Sequence, residues 1–169
     1  MNDQDLLKLL GSGLWEATPM STSERAECLD RSVWARDFEW AELKRLARFT
    51  VAIRLGKGAL LFQEADRQAF MCLVLEGRLT IRKGGTGESA TEIAELGPGE
   101  SIGEMSLFEQ QPRSASVVAL TDSRLLLLSR KHLLEMKNLE PELAVTLIWQ
   151  LARLLSQRLR RTSGLLVAK

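Results

Sequence analysis

The sequence predicts a mainly β fold with helical flanks, and three observations support this. Short runs of strand-forming residues fill residues 51–129, separated by turns that contain glycine or proline. Apolar residues recur at helical spacing before residue 50 and again after residue 130. The sequence has neither strand–helix–strand alternation nor an internal repeat, which argues against a parallel α/β sheet and against a solenoid.

The N-terminal part, residues 1–37, is predicted to be a helical extension. Leucines between residues 6 and 14 form a first apolar patch. Glu24 follows Ser21 by three residues, which is the spacing of a capping box at the start of a helix. A further helix is predicted over residues 39–48 from the helical spacing of its apolar side chains.

The central part, residues 38–140, is predicted to be an all-β jelly roll with flanking helices. Short and regularly spaced strands are typical of that class. The predicted strands are residues 51–55, 59–62, 70–75, 78–82, 91–96, 116–119 and 124–128.

Helical periodicity returns after the strands. Ser129 can cap a short helix over residues 131–137, and Pro141 suits the first turn of a longer one. The longer helix is predicted to reach about Thr162 and to end at Gly164. Its long apolar face makes a homodimer a reasonable expectation. The residues expected to anchor the helices to the β roll are Trp15, Trp34, Trp40 and Trp149.

Composition limits the function classes. Of 169 residues, 45% are apolar, so the chain can bury a full core. A formal net charge of +1 gives no overall attraction to nucleic acid or to an anionic membrane. The two cysteines form no disulfide framework, the N-terminus is acidic, and no apolar run is long enough for a membrane span. A cytoplasmic protein is therefore predicted.

The strongest functional signal lies in residues 102–117. Gly103 and Glu104 open a short helical turn between two apolar runs, and Arg113 follows Pro112. A carboxylate accepts hydrogen bonds from hydroxyl groups, while a guanidinium and backbone N–H groups bind an anion. The segment therefore predicts a ligand that carries both sugar hydroxyls and a phosphate.

Residues 38–162 resemble the cyclic nucleotide-binding domain family. The matching pieces are Leu-Glu-Gly-Arg-Leu from residue 75, Leu-Gly-Pro-Gly-Glu from residue 96, and residues 102–117, which correspond to the family's phosphate-binding cassette. The resemblance implies a jelly-roll barrel that binds a cyclic nucleotide without catalysis, metal or other cofactor. It also implies that residues 141–169 form a C-terminal lid and dimerisation helix.

The resemblance implies roles for individual residues. Glu104 would accept the ribose 2′-hydroxyl, and Gly103 would let the backbone pass close to the sugar. Arg113 would pair with the cyclic phosphate, and the N–H groups of Ser106 and Ser114 would point at phosphate oxygens. The complete predicted ligand-binding set is Gly103, Glu104, Met105, Ser106, Arg113, Ser114, Ala115, Ile81 and Ile93.

Recognition of the base is predicted in less detail. Ile81 and Ile93 are expected to be core residues first, and to form part of an apolar shelf under the base. Ser114 favours cAMP over cGMP, because in the family a threonine at this place goes with guanine. The polar residues of the last helix that could reach the base are Gln150, Arg153 and Gln157.

Alternatives stay open at this point. Glu104 and Arg113 could pair with each other and tie a loop to the barrel. The domain could be a ligand-free protein-interaction module of the same fold, or a sensor of another anionic ligand such as cyclic di-GMP. Direct DNA binding is not expected, because little sequence follows the last helix. The sequence identifies no effector protein.

Overall fold

A computed structural model describes residues 15–84 and 90–167, with the backbone alone described for residues 164–167. The predicted leucine patch before residue 15 lies outside the described residues. The helices are α1 (Thr22–Asp30), α2 (Trp40–Ala47), α3 (Met105–Phe108), α4 (Arg130–Leu139) and α5 (Pro141–Val167). The strands are β1 (Glu16–Ala17), β2 (Val51–Leu55), β3 (Leu60–Phe62), β4 (Phe70–Glu76), β5 (Leu79–Lys83), β6 (Thr91–Leu96), β7 (Ser101–Ile102), β8 (Ser116–Ala119) and β9 (Ser123–Ser129).

The strands form two antiparallel sheets with interleaved connections. One sheet has the order β1-β2-β9-β4-β7, and the other has the order β3-β8-β5-β6. Strands that are distant in sequence pair directly, as where Val51 of β2 lies opposite Leu127 of β9. This arrangement confirms the predicted class, a mainly β jelly roll with helical flanks.

Side-chain alternation along β9 divides the interior into two cores. Leu125 and Leu127 pack between the two sheets, whereas Leu126 and Leu128 point to the opposite face, where the helices lie. All four side chains are at most 4% exposed. An unbroken leucine run can therefore form a strand here, because both faces of that strand are buried.

The helices pack on the outer face of the larger sheet. The capping box of α1 is confirmed: the Ser21 hydroxyl accepts from the Glu24 N–H at 3.2 Å, and the Glu24 carboxylate accepts from the Ser21 N–H at 2.7 Å. One core cluster joins α1 and α2 to α4 and α5, with Leu46, Leu133 and Leu147 among its members. The predicted domain limits at residues 37 and 140 stay predictions.

Two predictions about the helices are wrong. Trp15 and Trp34 are buried, but Trp40 is 44% and Trp149 is 67% exposed, so only two of the four tryptophans anchor the core. Helix α5 continues through Gly164 to Val167. A glycine inside a helix costs only about 1 kcal/mol, which a long helix can absorb.

Candidate functional site: a cavity between the β roll and helix α5

A cavity of about 570 Å³ lies between the β roll and helix α5. This volume is within the range of small-molecule sites. The predicted ligand-binding residues all line this cavity: Ile81, Ile93, Gly103, Glu104, Met105, Ser106, Arg113, Ser114 and Ala115. Their roles toward a ligand stay predictions. On the opposite side, α5 contributes Leu155, Arg158, Leu159 and Thr162.

Arg113 is the best-fixed side chain of the cavity wall. Its Nη2 donates to the backbone oxygen of Phe70 at 2.7 Å, and its Nη1 donates to Ser106 Oγ at 2.9 Å and to Gly103 O at 3.3 Å. The guanidinium carbon also lies 3.9 Å and 4.5 Å from the ring centroids of Phe62 and Phe70. Carbonyl dipoles and two aromatic faces thus stabilise a buried cation.

No carboxylate within residues 15–84 and 90–167 forms an ion pair with Arg113. Its Nε is buried, with no hydrogen-bond partner among the same residues. Burial lowers the pKa of Arg113 to about 10, so the side chain still carries its charge at neutral pH. A buried charge without a counter-ion is costly, which makes this wall of the cavity suited to an anion.

Gly103 permits the close approach of Arg113. Its φ is +87°, and a Cβ atom there would lie 2.7 Å from Arg113 Nη1 and 2.8 Å from the Phe70 oxygen. Ser106 completes the support, because its hydroxyl also contacts the Phe70 oxygen at 3.0 Å. The Ser106 N–H donates to Gly103 O at 3.2 Å, so in the structure it is engaged within the turn.

Glu104 is only 2% exposed and is held by different partners. The Ser101 hydroxyl donates to its Oε1, and Nη1 of Arg158 lies 3.0 Å from both carboxylate oxygens. Nη2 of Arg158 donates to the Ser101 backbone oxygen at 2.6 Å. The structure therefore pairs Glu104 with helix α5, and not with Arg113 as one alternative had it.

Sequence reasoning missed Arg158 and named the wrong polar residues of α5. Gln150 Nε2 donates to Asp37 at 2.8 Å, and Arg153 also contacts that carboxylate. Gln157 lines a separate and smaller cavity beside Trp34. None of the three lines the large cavity, because burial of other α5 side chains fixes the rotation of the helix.

The helical spacing of α5 carries a partial signal for Arg158. Residues 155, 158, 159 and 162 recur at the three- and four-residue intervals that share one helix face. The buried leucines of α5, Leu143, Leu147 and Leu151, define the neighbouring face. The burial of these leucines and of Glu104 is known only from the fold, so the helical spacing includes Arg158 in a face but does not select it.

The region expected to receive the base is apolar and open. Ile81 is half-buried, but Ile93 is 57% exposed, so the expectation that Ile93 is primarily a core residue is wrong. Ile93 lies on β6, the edge strand of its sheet, in which residues 91–95 are all exposed. Ser114 is exposed, and its backbone oxygen accepts from Lys83 Nζ at 2.6 Å.

Within the described part of the chain, no group of three or more His, Cys, Asp or Glu side chains is placed to hold a metal ion. Among the same residues, no helix combines the length and apolarity needed to span a bilayer.

Residues 52–138 match the sequence profile of the cyclic nucleotide-binding domain, which covers half of the chain. The chain belongs to the cyclic nucleotide-binding domain family. A structure of such a domain from Methylobacillus flagellatus superposes with a TM-score of 0.81 at 25% identity, over 95% of this chain and 93% of that one. The Thermus thermophilus catabolite activator protein gives a TM-score of 0.70 at 30% identity, over 80% and 62%.

Sequence relatives place the domain inside longer proteins. The cyclic AMP receptor protein of Thermus thermophilus is 38% identical over 104 residues, which are 62% of this chain and 46% of that protein. Lysophospholipase nte1 of Aspergillus oryzae is 28% identical over 64% of this chain and 7% of its own length. This chain thus spans less than half of either relative, and the family occurs in receptors and within an enzyme.

Proposed function

We propose that this domain is a receptor for a cyclic nucleotide, with cAMP as its preferred ligand. The observation that carries the proposal is Arg113, a buried cation on the wall of a 570 Å³ cavity that pairs with none of the described carboxylates. A cyclic phosphate supplies one negative charge and two free oxygen acceptors. Charge-assisted hydrogen bonds to a guanidinium are among the stronger polar interactions in proteins.

Glu104 is suited to a sugar hydroxyl. A carboxylate has about four acceptor sites. Ser101 and Arg158 use sites on Oε1, and Arg158 also contacts Oε2. Oε2 retains acceptor capacity, and Glu104 lines the same cavity as Arg113. One ligand with a phosphate and a neighbouring 2′-hydroxyl can therefore engage both residues.

The preference for adenine rests on four apolar side chains in the part of the cavity away from Arg113. Ile81 and Ile93 of the roll line the cavity, as do Leu155 and Leu159 of α5. Guanine carries a carbonyl, a ring N–H and an amino group at the edge where adenine has only an amino group and a ring nitrogen. Desolvating the additional polar groups without partners costs free energy, so an apolar slot favours adenine.

The proposed output is a change in the docking of α5. Because Arg158 and the leucines of α5 form one wall of the cavity, a bound ligand contacts the helix directly. We propose binding without catalysis, since Glu104 is engaged by Ser101 and Arg158 and is not a free base. A cytoplasmic location belongs to the proposal, since Cys28 and Cys72 are free thiols, as in a reducing compartment.

A thermal-melt titration with cAMP, cGMP and cyclic di-GMP tests the receptor proposal. Saturation with cAMP at a hundred times its Kd should stabilise the wild type by about 2.7 kcal/mol. For a chain of this size, that corresponds to a rise in Tm of roughly 5–10 °C. Arg113→Ala should lower the affinity for cAMP at least tenfold, because a charged hydrogen bond contributes about 1.5–3 kcal/mol.

Two further variants make the titration decisive. Arg113→Lys keeps the charge but not the forked geometry, and covers the case in which Arg113→Ala does not fold. Arg54→Ala, on an exposed position of β2, is the matched control and should behave as wild type. No shift with any nucleotide would contradict the proposal and favour the ligand-free interaction module. A shift with cyclic di-GMP alone would assign a different ligand.

We also propose that two copies associate through α5. Exposed apolar side chains recur along this helix at three- to four-residue spacing: Val145, Ile148 and Trp149, with exposures of 65%, 39% and 67%. Such a stripe can pair with itself about a two-fold axis. Sedimentation should show a dimer that Trp149→Glu dissociates, while Leu139→Glu on α4 leaves it intact. A monomeric wild type at high concentration would rule out the dimer.

A further inference from the structure

We propose that Arg158 is a positioning residue that links helix α5 to Glu104 and thereby sets the preference for ligands with a 2′-hydroxyl. The ligand part of this inference rests on the proposed function. The link between the helix and the roll rests on the contacts of Arg158 alone.

The link consists of three hydrogen bonds from one guanidinium. Nη1 of Arg158 lies 3.0 Å from each oxygen of Glu104, and Nη2 donates to the Ser101 oxygen at 2.6 Å. Ser101 in turn donates its hydroxyl to Glu104. The three residues form a closed network that fixes the carboxylate from both sides. Networks of this kind lose more than one contact when a member is removed.

The burial of the two partners is unequal. The Glu104 side chain is 3% exposed, whereas the Arg158 side chain is 35% exposed. Among the described residues, Arg158 is the ion-pair partner of Glu104. Without Arg158, Glu104 would be a buried charge held by the Ser101 hydroxyl, which is an unfavourable arrangement. The carboxylate would then turn toward water and away from the position in which it faces a ligand.

Arg158 also determines how the end of α5 sits on the roll. Leu155 and Leu159 flank it on the same helix face and line the cavity. Thr162, one turn further on, donates its hydroxyl to the Arg158 backbone oxygen, within the helix. Among the described side chains of α5 beyond residue 154, that of Arg158 makes the polar contacts to the roll. The orientation of Glu104 and the docking of this helical segment are therefore coupled.

The test compares Arg158→Gln and Arg158→Lys with Arg160→Gln, a matched control at an exposed position of the same helix. Hydrogen exchange without nucleotide is measured for residues 150–163, and calorimetry measures the affinities for cAMP and 2′-deoxy-cAMP. The wild type should prefer cAMP by about tenfold or more, the value of a hydroxyl bond to a charged acceptor. In Arg158→Gln, residues 150–163 should exchange faster than in the wild type. The preference of this variant for cAMP over 2′-deoxy-cAMP should be below about threefold. For Arg158→Lys, both the exchange rate and the preference for cAMP should lie between those of the wild type and Arg158→Gln.

Each outcome separates the coupling from a general structural role. A loss of affinity that is equal for the two nucleotides would leave their ratio unchanged and would overturn the inference. A higher affinity for cAMP in Arg158→Gln would mean that Arg158 competes with the hydroxyl, and would also overturn it. If the wild type binds neither nucleotide, the proposed function fails. Hydrogen exchange then tests the link between α5 and Glu104 by itself. Unchanged exchange of residues 150–163 in Arg158→Gln would overturn that link.

Discussion

The two walls of the cavity are held in place by different means. The loop wall, residues 103–115, is bonded into the roll: Arg113 and Ser106 both donate to the Phe70 oxygen, and the Arg113 N–H donates to Asp66 O at 2.8 Å. The helix wall, contributed by α5, meets the loop through the ion pair of Arg158 with Glu104 and through leucines.

This difference indicates which wall is set to recognise a ligand and which wall is free to move when a ligand binds. Arg113 is 6% exposed and has several acceptors, so its position is set before any ligand arrives. Leu159, on the helix wall, is 68% exposed and can move at little cost in buried area. We therefore expect variants that displace Arg113 from the loop wall to weaken ligand binding most. Variants in the helix wall should change how the affinity depends on the docking of α5.

The largest effect is expected for Gly103→Ala, which breaks the loop wall. The backbone at φ +87° is strained for alanine by about 1–3 kcal/mol, and the new methyl group would displace Arg113. Displacing this charged donor should weaken binding of cAMP by about 10- to 100-fold. Calorimetry and thermal melts measure both effects.

Gly97→Ala provides the control for that substitution. A Cβ atom at Gly97 meets no heavy atom within 4 Å, so its stability and affinity should match the wild type. Equal behaviour of the two alanine variants would show that the loop wall does not depend on the close approach at Gly103.

An intermediate effect is expected for Glu104→Gln, which acts where the two walls meet. The substitution preserves shape but removes the charge that both Arg158 and a ligand hydroxyl would use. The loss of charge assistance is worth about 1 kcal/mol, which corresponds to a roughly fivefold weaker affinity for cAMP. Glu135→Gln, at an exposed position of α4 that does not line the cavity, should bind as wild type. Identical affinities of the two variants would contradict the assignment of Glu104.

The smallest effect is expected for Asp37→Asn, on the side of α5 away from the cavity. The hydrogen bond from Gln150, together with that from Arg153, holds the pKa of Asp37 below its ordinary value. The ion pair with Arg153 is solvent-exposed and screened, and neither Gln150 nor Arg153 lines the cavity, so cAMP affinity should not change measurably. A clear loss of affinity in calorimetry would show that the response of the helix is not confined to its cavity face.

Much of this architecture could be predicted from the sequence because its causes are local. Short runs of strand-forming side chains define β2 and β8, and the capping box of α1 depends on residues three positions apart. The segment from Gly103 to Arg113 lies within one loop, so its residues meet around the cavity as predicted. Strands β1 and β7 were missed because two residues are too few to show a period.

The contacts of α5 could only be decided by the tertiary structure. Arg158 and Glu104 are 54 positions apart, and no local pattern specifies which polar residue of a helix reaches a distant carboxylate. The rotation of α5 is fixed by the burial of Leu147 and Leu151 in the core cluster that α5 shares with α1, α2 and α4. That packing turns Arg158 toward the cavity and Gln150 toward Asp37. Local propensity determines that a helix forms, whereas the surface it packs against determines which face it presents.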